Sequence, residues 1–219
     1  MMAAFYYNNI PKYILESIRC VRESSDNLWN SLLVAEVINN YPENKVENLD
    51  GGFDVAIFTG DFHRFLIKKV DGYFSMSNPF QVQYGPEGAM TFHCDIIQEP
   101  VDGRFISIMR NAISAIEGRQ LSHDDVILSF YESFNLDVRD AASFYDAFTA
   151  LLSIDHGYFR FDDDSDNEDG HVHPRYHFDI FYRNSSSLKI GYTKSAEVEC
   201  FLSLVDHDLP KKYLYDHQR

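Results

Sequence analysis

The N-terminal hydrophobic pattern repeats with the 3.6-residue period of an α-helix. Apolar residues recur at this spacing on both sides of Ser25-Asp26, and either of these two polar residues is suited to cap a second helix. Tyr41-Pro42 then ends the pattern, because the residue before a proline avoids the helical conformation. We therefore predict that residues 1–42 are helical.

At residue 53 the hydrophobic period changes to two. Apolar and polar residues alternate as far as residue 97, which indicates strands with one buried face and one polar face. Asp71-Gly72 is typical of a two-residue hairpin turn. We predict an antiparallel meander over residues 53–97. The residues of its last strand that we expect to face inward are Met90, Phe92, Cys94 and Ile96.

Helical spacing returns over residues 104–153, in three amphipathic segments. Ser122 and Asp125 have the spacing of a capping box at the start of the second segment. Asp137 or Asp140 is placed to begin the third. We predict three helices here.

The region 156–206 combines strands with a final helix. The predicted strands are His156–Phe161, Arg175–Arg183 and Leu188–Tyr192. Ser195 is a suitable cap for the helix that follows them. Because no interdomain linker is recognisable, residues 1–219 are predicted to form one α+β domain. In this domain an antiparallel sheet, which the C-terminal strands extend or face, packs with N-terminal, central and C-terminal helices.

The net charge of the chain bears on the kind of partner to expect. The chain has 34 acidic residues against 19 lysines and arginines, a formal net charge of −15. Six of the acids lie in residues 162–169, which we predict to be a solvated loop. Nucleic acid is not expected as a direct ligand, because binding to phosphates requires clustered lysines and arginines. The acidic excess serves solubility, or else attraction to a protein partner with a basic surface or mimicry of nucleic acid.

Cysteine use and hydropathy indicate the compartment. The three cysteines are widely spaced and odd in number, which favours reduced thiols: Cys20, Cys94 and Cys200. The first residues lack the basic and apolar regions of a secretory signal. Since no apolar run approaches the roughly 18 residues of a membrane span, we expect a soluble cytoplasmic protein without membrane contact.

One predicted strand near the C-terminus concentrates polar groups that are suited to catalysis. Alternate residues of a strand lie on the same face. The residues of its polar face are His173, Arg175, His177 and Asp179. Histidine and aspartate at this spacing suit acid–base chemistry, and arginine neutralises a phosphate. These four are the candidate catalytic residues of a metal-independent phosphodiesterase or nuclease, or of a nucleotide-binding protein.

The neighbours of this strand leave two interpretations open. Arg160 and Lys189 lie on the adjacent predicted strands and are able to join the polar face. The opposite face is apolar and is predicted to pack on the core: Tyr176, Phe178, Ile180 and Tyr182. In the alternative, purely structural interpretation, the polar residues form an exposed strand face.

Metal binding is a further hypothesis for the same strand. The candidate ligands are His171, His173 and His177, which have the ligand types that zinc prefers. Three ligands on one strand rarely converge without a second element. A calcium loop is excluded, because Gly170 at its sixth position would place Ser165 first and Tyr176 twelfth. We expect no cofactor, since the chain has no glycine-rich nucleotide motif and no HExxH or CxxC motif.

The run from His173 to Asp179, followed by Leu188-Lys-Ile-Gly-Tyr192, resembles the C-terminal part of small uncharacterised bacterial proteins of mobile elements and antiphage-defence islands. The resemblance covers the last third of the chain and implies a biological context without catalytic residues. Together with the acidic charge and the absence of a strong catalytic motif, it leads us to expect a non-enzymatic binding or regulatory subunit of a bacterial protein assembly. The enzyme described above is the alternative.

Overall fold

The structure, a computed structural model, describes residues 3–47, 52–60, 62–85, 89–117, 122–170, 172–180, 189–206 and 208–211. Over these residues it contains six α-helices and eleven strands, so the predicted α+β fold is confirmed. The helices are α1 (Lys12–Glu16), α2 (Ser24–Asn40), α3 (Gly103–Ile116), α4 (His123–Phe134), α5 (Val138–Ser153) and α6 (Val198–Val205). The strands are β1 (Ala3–Tyr7), β2 (Lys45–Val46), β3 (Val55–Thr59), β4 (Arg64–Lys69), β5 (Gly72–Ser77), β6 (Gln81–Tyr84), β7 (Met90–Cys94), β8 (Glu99–Pro100), β9 (Phe159–Asp163), β10 (Tyr176–Ile180) and β11 (Lys189–Tyr192).

The larger sheet places the C-terminal strands beside the N-terminal ones. Across the described residues it has eight antiparallel strands in the order β11-β10-β9-β5-β4-β3-β1-β2. The junction is between β5 and β9, where Phe74 lies opposite Arg160. Of the two predicted arrangements, the C-terminal strands therefore extend the sheet.

The predicted meander over 53–97 is divided between two sheets. Strands β3, β4 and β5 belong to the larger sheet, whereas β6, β7 and β8 form a separate one. The hairpin turn lies one residue earlier than predicted, because Lys69 already pairs with Gly72. A side chain at Gly72 is excluded by φ of +141° and by the carbonyl oxygen of Phe161, which lies 1.9 Å from an ideal Cβ position. Met90, Phe92 and Cys94 are buried as predicted, but Ile96 follows the end of β7 and is exposed.

The N-terminal region is only partly helical. Helix α2 ends at Asn40 as predicted but begins after Glu23 instead of Ser25 or Asp26, and α1 is reduced to five residues. The segment Ala3–Tyr7 is a strand that pairs along its whole length with β3, and Tyr7 is buried. Five residues are too few to show a hydrophobic period, and their pairing partners lie about fifty positions away in the chain.

The two faces of the larger sheet are covered unequally. On the face that packs against α2, α3 and α5, which we call the helix-covered face, Ile57, Phe65 and Phe74 are fully buried. On the opposite face α6 supplies Phe201, whose ring centroid lies 5.0 Å from that of Phe58. Because α6 has eight residues, it covers only part of that face.

Local capping determines most helix starts. Ser122 and Asp125 form the predicted capping box, and the Asp137 side chain accepts a hydrogen bond from the Asp140 backbone. For the last helix the prediction was wrong, because α6 begins after Glu197 instead of Ser195. None of the helices in the described part of the chain is both long and apolar enough to cross a membrane.

Candidate functional site

Strand β10 lies between β9 and β11 and carries the candidate catalytic residues His177 and Asp179. His177 is opposite Asp162, and Asp179 is opposite both Arg160 and Lys189. Directly opposed residues in antiparallel strands lie on the same face. These five residues therefore come together, and we call them the charge cluster. Arg160 and Lys189 join the polar face as the sequence suggested.

The carboxylates of the charge cluster are neutralised from within it. Arg160 Nη2 donates to Asp179 Oδ2 at 2.8 Å, and Arg160 Nε lies 2.7 Å from Asp162 Oδ2. Lys189 Nζ donates to the same oxygen, Asp179 Oδ2, at 3.1 Å and to Asp179 Oδ1 at 3.4 Å. Two acids thus face two bases, and the cluster has no net charge while His177 is neutral.

His177 lies at the centre of the cluster, and its side chain has no exposed surface. Its Nδ1 donates to the backbone oxygen of Pro174 at 2.7 Å, which keeps a proton on that nitrogen. Its Nε2 lies 2.8 Å from Lys189 Nζ and 3.3 Å from Asp162 Oδ2. The neutral ring accepts from Lys189, whereas the protonated ring donates to Asp162. Burial lowers the pKa of His177, but Asp162 and the Pro174 carbonyl outweigh this and leave the pKa raised.

Burial in β10 does not follow the expected division into a buried apolar face and an exposed polar face. His177 and Asp179 on the polar face are only 1% and 7% exposed, whereas Ile180 on the apolar face is 57% exposed. Phe178 is buried as predicted, and Tyr182 lies outside the described residues. The polar face is covered by the loop before β10, since Pro174 lies about 3.0 Å from an ideal Cβ position at Gly191.

The acidic segment 162–169 is not entirely a loop. Asp162 and Asp163 belong to β9, and the chain after them folds back in a hydrogen-bonded turn. The backbone nitrogen of Asp164 donates to the Arg175 oxygen at 2.8 Å, and two further backbone bonds join Asp169 to His173. Asp164 is half-buried, whereas Asp166, Glu168 and Asp169 are exposed. Some of the acidic residues therefore form part of the ordered β9–β10 hairpin.

The structure brings together three of the four candidate catalytic residues. The rings of His173 and His177 meet edge to face with their centroids 4.8 Å apart, and His173 Nε2 lies 3.1 Å from Asp164 Oδ2. Asp179 lies beside His177. Arg175 is elsewhere, because it precedes β10 and turns outward to Asp163 at 2.7 Å.

The donor set also bears on the metal hypothesis. Among the described residues, Asp162, His177 and Asp179 have ligand atoms within 4.8 Å of one another. Lys189 Nζ lies against two of these ligand atoms, and a metal ion would have to displace it. The histidine set predicted from the sequence is not assembled, since His173 turns toward Asp164 and His171 lies outside the described residues. The two carboxylates are better suited to binding Arg160 and Lys189 than a metal ion.

A second surface was not recognised in the sequence. On α4 and at the start of α5, Leu128, Tyr131 and Val138 are 50%, 53% and 71% exposed. Together with Asp124 and Ile127 they line a groove of about 400 Å³, which we call the α4–α5 groove. The sequence signal was present, because α4 has apolar residues on more than one side, which a helix with one buried stripe does not need.

The charge cluster is suited to exchanging one proton between His177 and Asp162, since both are held within hydrogen-bonding reach. Activating a nucleophile would require an exposed group beside His177, and its ring is fully covered. The geometry of the cluster therefore stabilises the hairpin more directly than it supports a reaction. Comparison of the chain with protein-family models, curated proteins and solved structures found no match.

Proposed function

We propose that this chain is a non-enzymatic binding or regulatory subunit of a bacterial protein assembly, and that it binds a basic protein partner through the α4–α5 groove. The observation that carries the proposal is the exposure of Leu128, Tyr131 and Val138 side by side. Apolar side chains that are exposed together at a groove are typical of interaction surfaces. Antiphage defence is the context that the C-terminal resemblance implies.

The charge around the groove favours a basic partner. Residues 122–153 contain six acids and a single arginine. The acids are Asp124, Asp125, Glu132, Asp137, Asp140 and Asp146. A partner that approaches this surface gains from lysines and arginines, while nucleic acid is repelled. The expected partner segment has one or two apolar side chains for the groove and basic residues on either side of them.

The geometry of the groove supports a short segment rather than a broad interface. Tyrosine supplies a large, rigid contact area with a polar end, and it is enriched among the residues that dominate binding energy. Tyr131 is half exposed, and Leu128 lies three positions before it on the same helix. The two side chains therefore lie on neighbouring turns and can contact the same short segment of the partner.

Affinity purification with matched variants tests the proposal. The tagged chain is isolated from the organism that produces it, and the retained proteins are identified by mass spectrometry. We expect a basic partner that binds at about 0.15 M salt and is released at high salt. The double variant Leu128→Ser/Tyr131→Ser should lose this partner, with affinity reduced at least roughly tenfold.

The matched control is Val70→Ser, which removes a fully exposed apolar side chain from the β4–β5 turn. This variant should retain the partner. Retention by the double variant, or a wild-type chain that purifies alone and elutes as a monomer in gel filtration, would contradict the proposal.

The alternative is a metal-independent phosphodiesterase, nuclease or nucleotide-binding protein. It is supported by the contact between His173 and His177 next to two carboxylates. It has less support than the binding function, because the cations that would hold a phosphate already bind Asp162 and Asp179. The test is incubation of the protein with RNA, DNA and nucleotides.

Two histidine variants complete the test. His173→Ala removes the partly exposed ring, and His177→Ala removes the buried one. Activity that is present in the wild type and lost in both folded variants would favour the enzyme over the binding subunit. Equal activity in all three proteins, or none, would eliminate it.

A further inference from the structure

A cavity lies on the α6 side of the larger sheet, where α6 ends. Its volume is about 710 Å³, in the range of sites that hold small organic molecules. The walls are mainly apolar and come from the sheet and from the end of α6. The apolar lining residues are Phe159, Phe178, Ile180, Leu204 and Val205. The cavity is far in sequence from the α4–α5 groove and shares no residue with it.

Arg64 is the cation of this cavity. Its Nε donates to Ser75 Oγ at 3.0 Å, Nη1 to Ser77 Oγ at 3.5 Å and Nη2 to the backbone oxygen of Gly157 at 2.6 Å. A guanidinium has five N–H groups, so two have no acceptor among the described residues. All three acceptors are uncharged.

Arg64 makes no direct ion pair within the part of the chain that the structure describes. Among the described residues, no carboxylate oxygen lies within 4 Å of its guanidinium nitrogens. Asp155 also lines the cavity: its carboxylate raises the pKa of Arg64 from beyond ion-pair distance and accepts a hydrogen bond from the Gly157 backbone at 2.8 Å. Burial lowers the pKa of Arg64 to about 10, so the guanidinium stays protonated at neutral pH. A partly buried charge of this kind is stabilised by an anion that arrives with a ligand.

The surroundings of Arg64 indicate the rest of the ligand. The guanidinium carbon lies 5.0 Å from the centre of the Phe159 ring, so the cation is directly beside the apolar wall. Ile180 is more than half exposed and forms part of the rim. A ligand with an anionic end and an apolar body would satisfy both parts of the cavity at once.

The geometry points to a binding site for a monocarboxylate with an aliphatic or aromatic body, with its carboxylate on Arg64 and its body between β9, β10 and the end of α6. The two remaining N–H groups lie one on Nη1 and one on Nη2 of the planar guanidinium, and a carboxylate has two oxygens to accept from them. A phosphate monoester carries more charge and more oxygens than one arginine can pair.

Calorimetry with three small probes tests the site. Octanoate carries both recognised parts, 1-octanol lacks the charge, and acetate lacks the apolar body. We expect octanoate to bind about tenfold more tightly than 1-octanol, which corresponds to one charge-assisted contact. Acetate should bind more weakly still. Equal affinity for octanoate and 1-octanol would overturn the assignment, and so would the absence of octanoate binding.

Two variants at the exposed rim provide a matched control that does not depend on removing Arg64 from the fold. Ile180→Glu places a like charge beside the incoming carboxylate, whereas Ile180→Lys places an opposite charge there. Octanoate affinity should fall about fivefold in the first variant and should not fall in the second. Affinity for 1-octanol should respond equally to both. If octanoate also responds equally to both variants, the carboxylate does not bind in this cavity.

Discussion

One face of the larger sheet is stabilised in two different ways along its width. On β3, β4 and β5 it carries Ile57, Phe65 and Phe74, which lie under the helices. On β9, β10 and β11 the same face carries the charge cluster, since Phe74 is directly opposite Arg160. A single continuous surface thus changes from apolar packing to ion pairing at the β5–β9 junction.

The difference follows from what covers each part. Helices α2, α3 and α5 bring their own apolar side chains to the first part. The second part is covered by the turn before β10, which brings the Pro174 carbonyl and the His173 ring. A short polar turn excludes water without offering apolar contacts, so the groups beneath it need hydrogen bonds and opposite charges.

The largest effect is expected in the helix-covered part. Phe65→Ala removes a fully buried ring that packs edge to face on Phe92 at 5.9 Å, and it leaves a cavity. The free energy of unfolding should fall by about 3–5 kcal/mol. Urea denaturation followed by circular dichroism measures this. The control Val172→Ala, at an exposed site in the turn between β9 and β10, should change it by less than about 0.5 kcal/mol.

Asp179→Asn should cost less, although it removes a charge that contacts two cations. Arg160 and Lys189 would keep their places but lose their shared carboxylate. Because both cations are about one-fifth exposed, water compensates in part, and we expect a loss of about 2 kcal/mol.

A double-mutant cycle with Lys189→Met identifies the cause of that loss. Removing both partners should cost less than the sum of the two single changes, because neither charge is then left alone. Additive losses would mean that the ion pair does not contribute and that the charge cluster is stabilised by packing, as in the helix-covered part.

The sequence was informative where the determinants are local. The starts of α4 and α5 follow from Ser122 and Asp137, whose side chains bind backbone groups three residues away. The alternation in β10 correctly placed His177 and Asp179 on one face. These features depend on residues that are close in the chain, so a short window of sequence contains them.

The features that the sequence did not reveal depend on distant residues. The pairing of β5 with β9 joins segments that are almost ninety positions apart, and β1 is a strand because β3 lies beside it. The burial of His177 depends on a turn that folds back over it, which alternation within the strand cannot show. For the same reason the sequence predicted polar exposure where the structure has a covered charge cluster.

A smaller effect is expected at the turn that covers the charge cluster. In Gly191→Ala the added methyl group would lie about 3.0 Å from the Pro174 ring, which must move away. We expect a loss of about 1 kcal/mol in stability. The pKa of His177 should also fall, because the Pro174 carbonyl would no longer accept a hydrogen bond from its ring.

The matched control is Gly170→Ala in the same hairpin, where an added methyl group meets nothing within 4 Å. Stability and the pKa of His177, followed by NMR titration, should remain those of the wild type. Equal behaviour of the two glycine variants would mean that the turn does not press on β11 and that His177 is held by the ions alone.

The smallest expected difference between the two regions is in how two buried histidines respond to pH. His156 lies at the end of α5 beside the helix-covered part, and burial lowers its pKa. His177 faces Asp162, Asp179, Lys189 and the His173 ring, and its pKa is raised. The two histidines should therefore contribute to stability in opposite directions as pH changes.

The sign follows from proton linkage, with an unfolded-state histidine pKa of about 6.5. Stability from His177 should be fully present below that value and should be lost as pH rises through its raised folded pKa. For His156 the unfolded chain takes up the proton first, so stability should be lost as pH falls below about 6.5. Comparing the wild type with His177→Gln and with His156→Gln in urea between pH 5 and pH 8 separates the two contributions from the titration of the many carboxylates. If the contributions of both histidines to the free energy of unfolding changed with pH in the same direction, the charge cluster would not favour the protonated imidazole. The apolar and ionic regions of this sheet face would then differ only in side-chain packing.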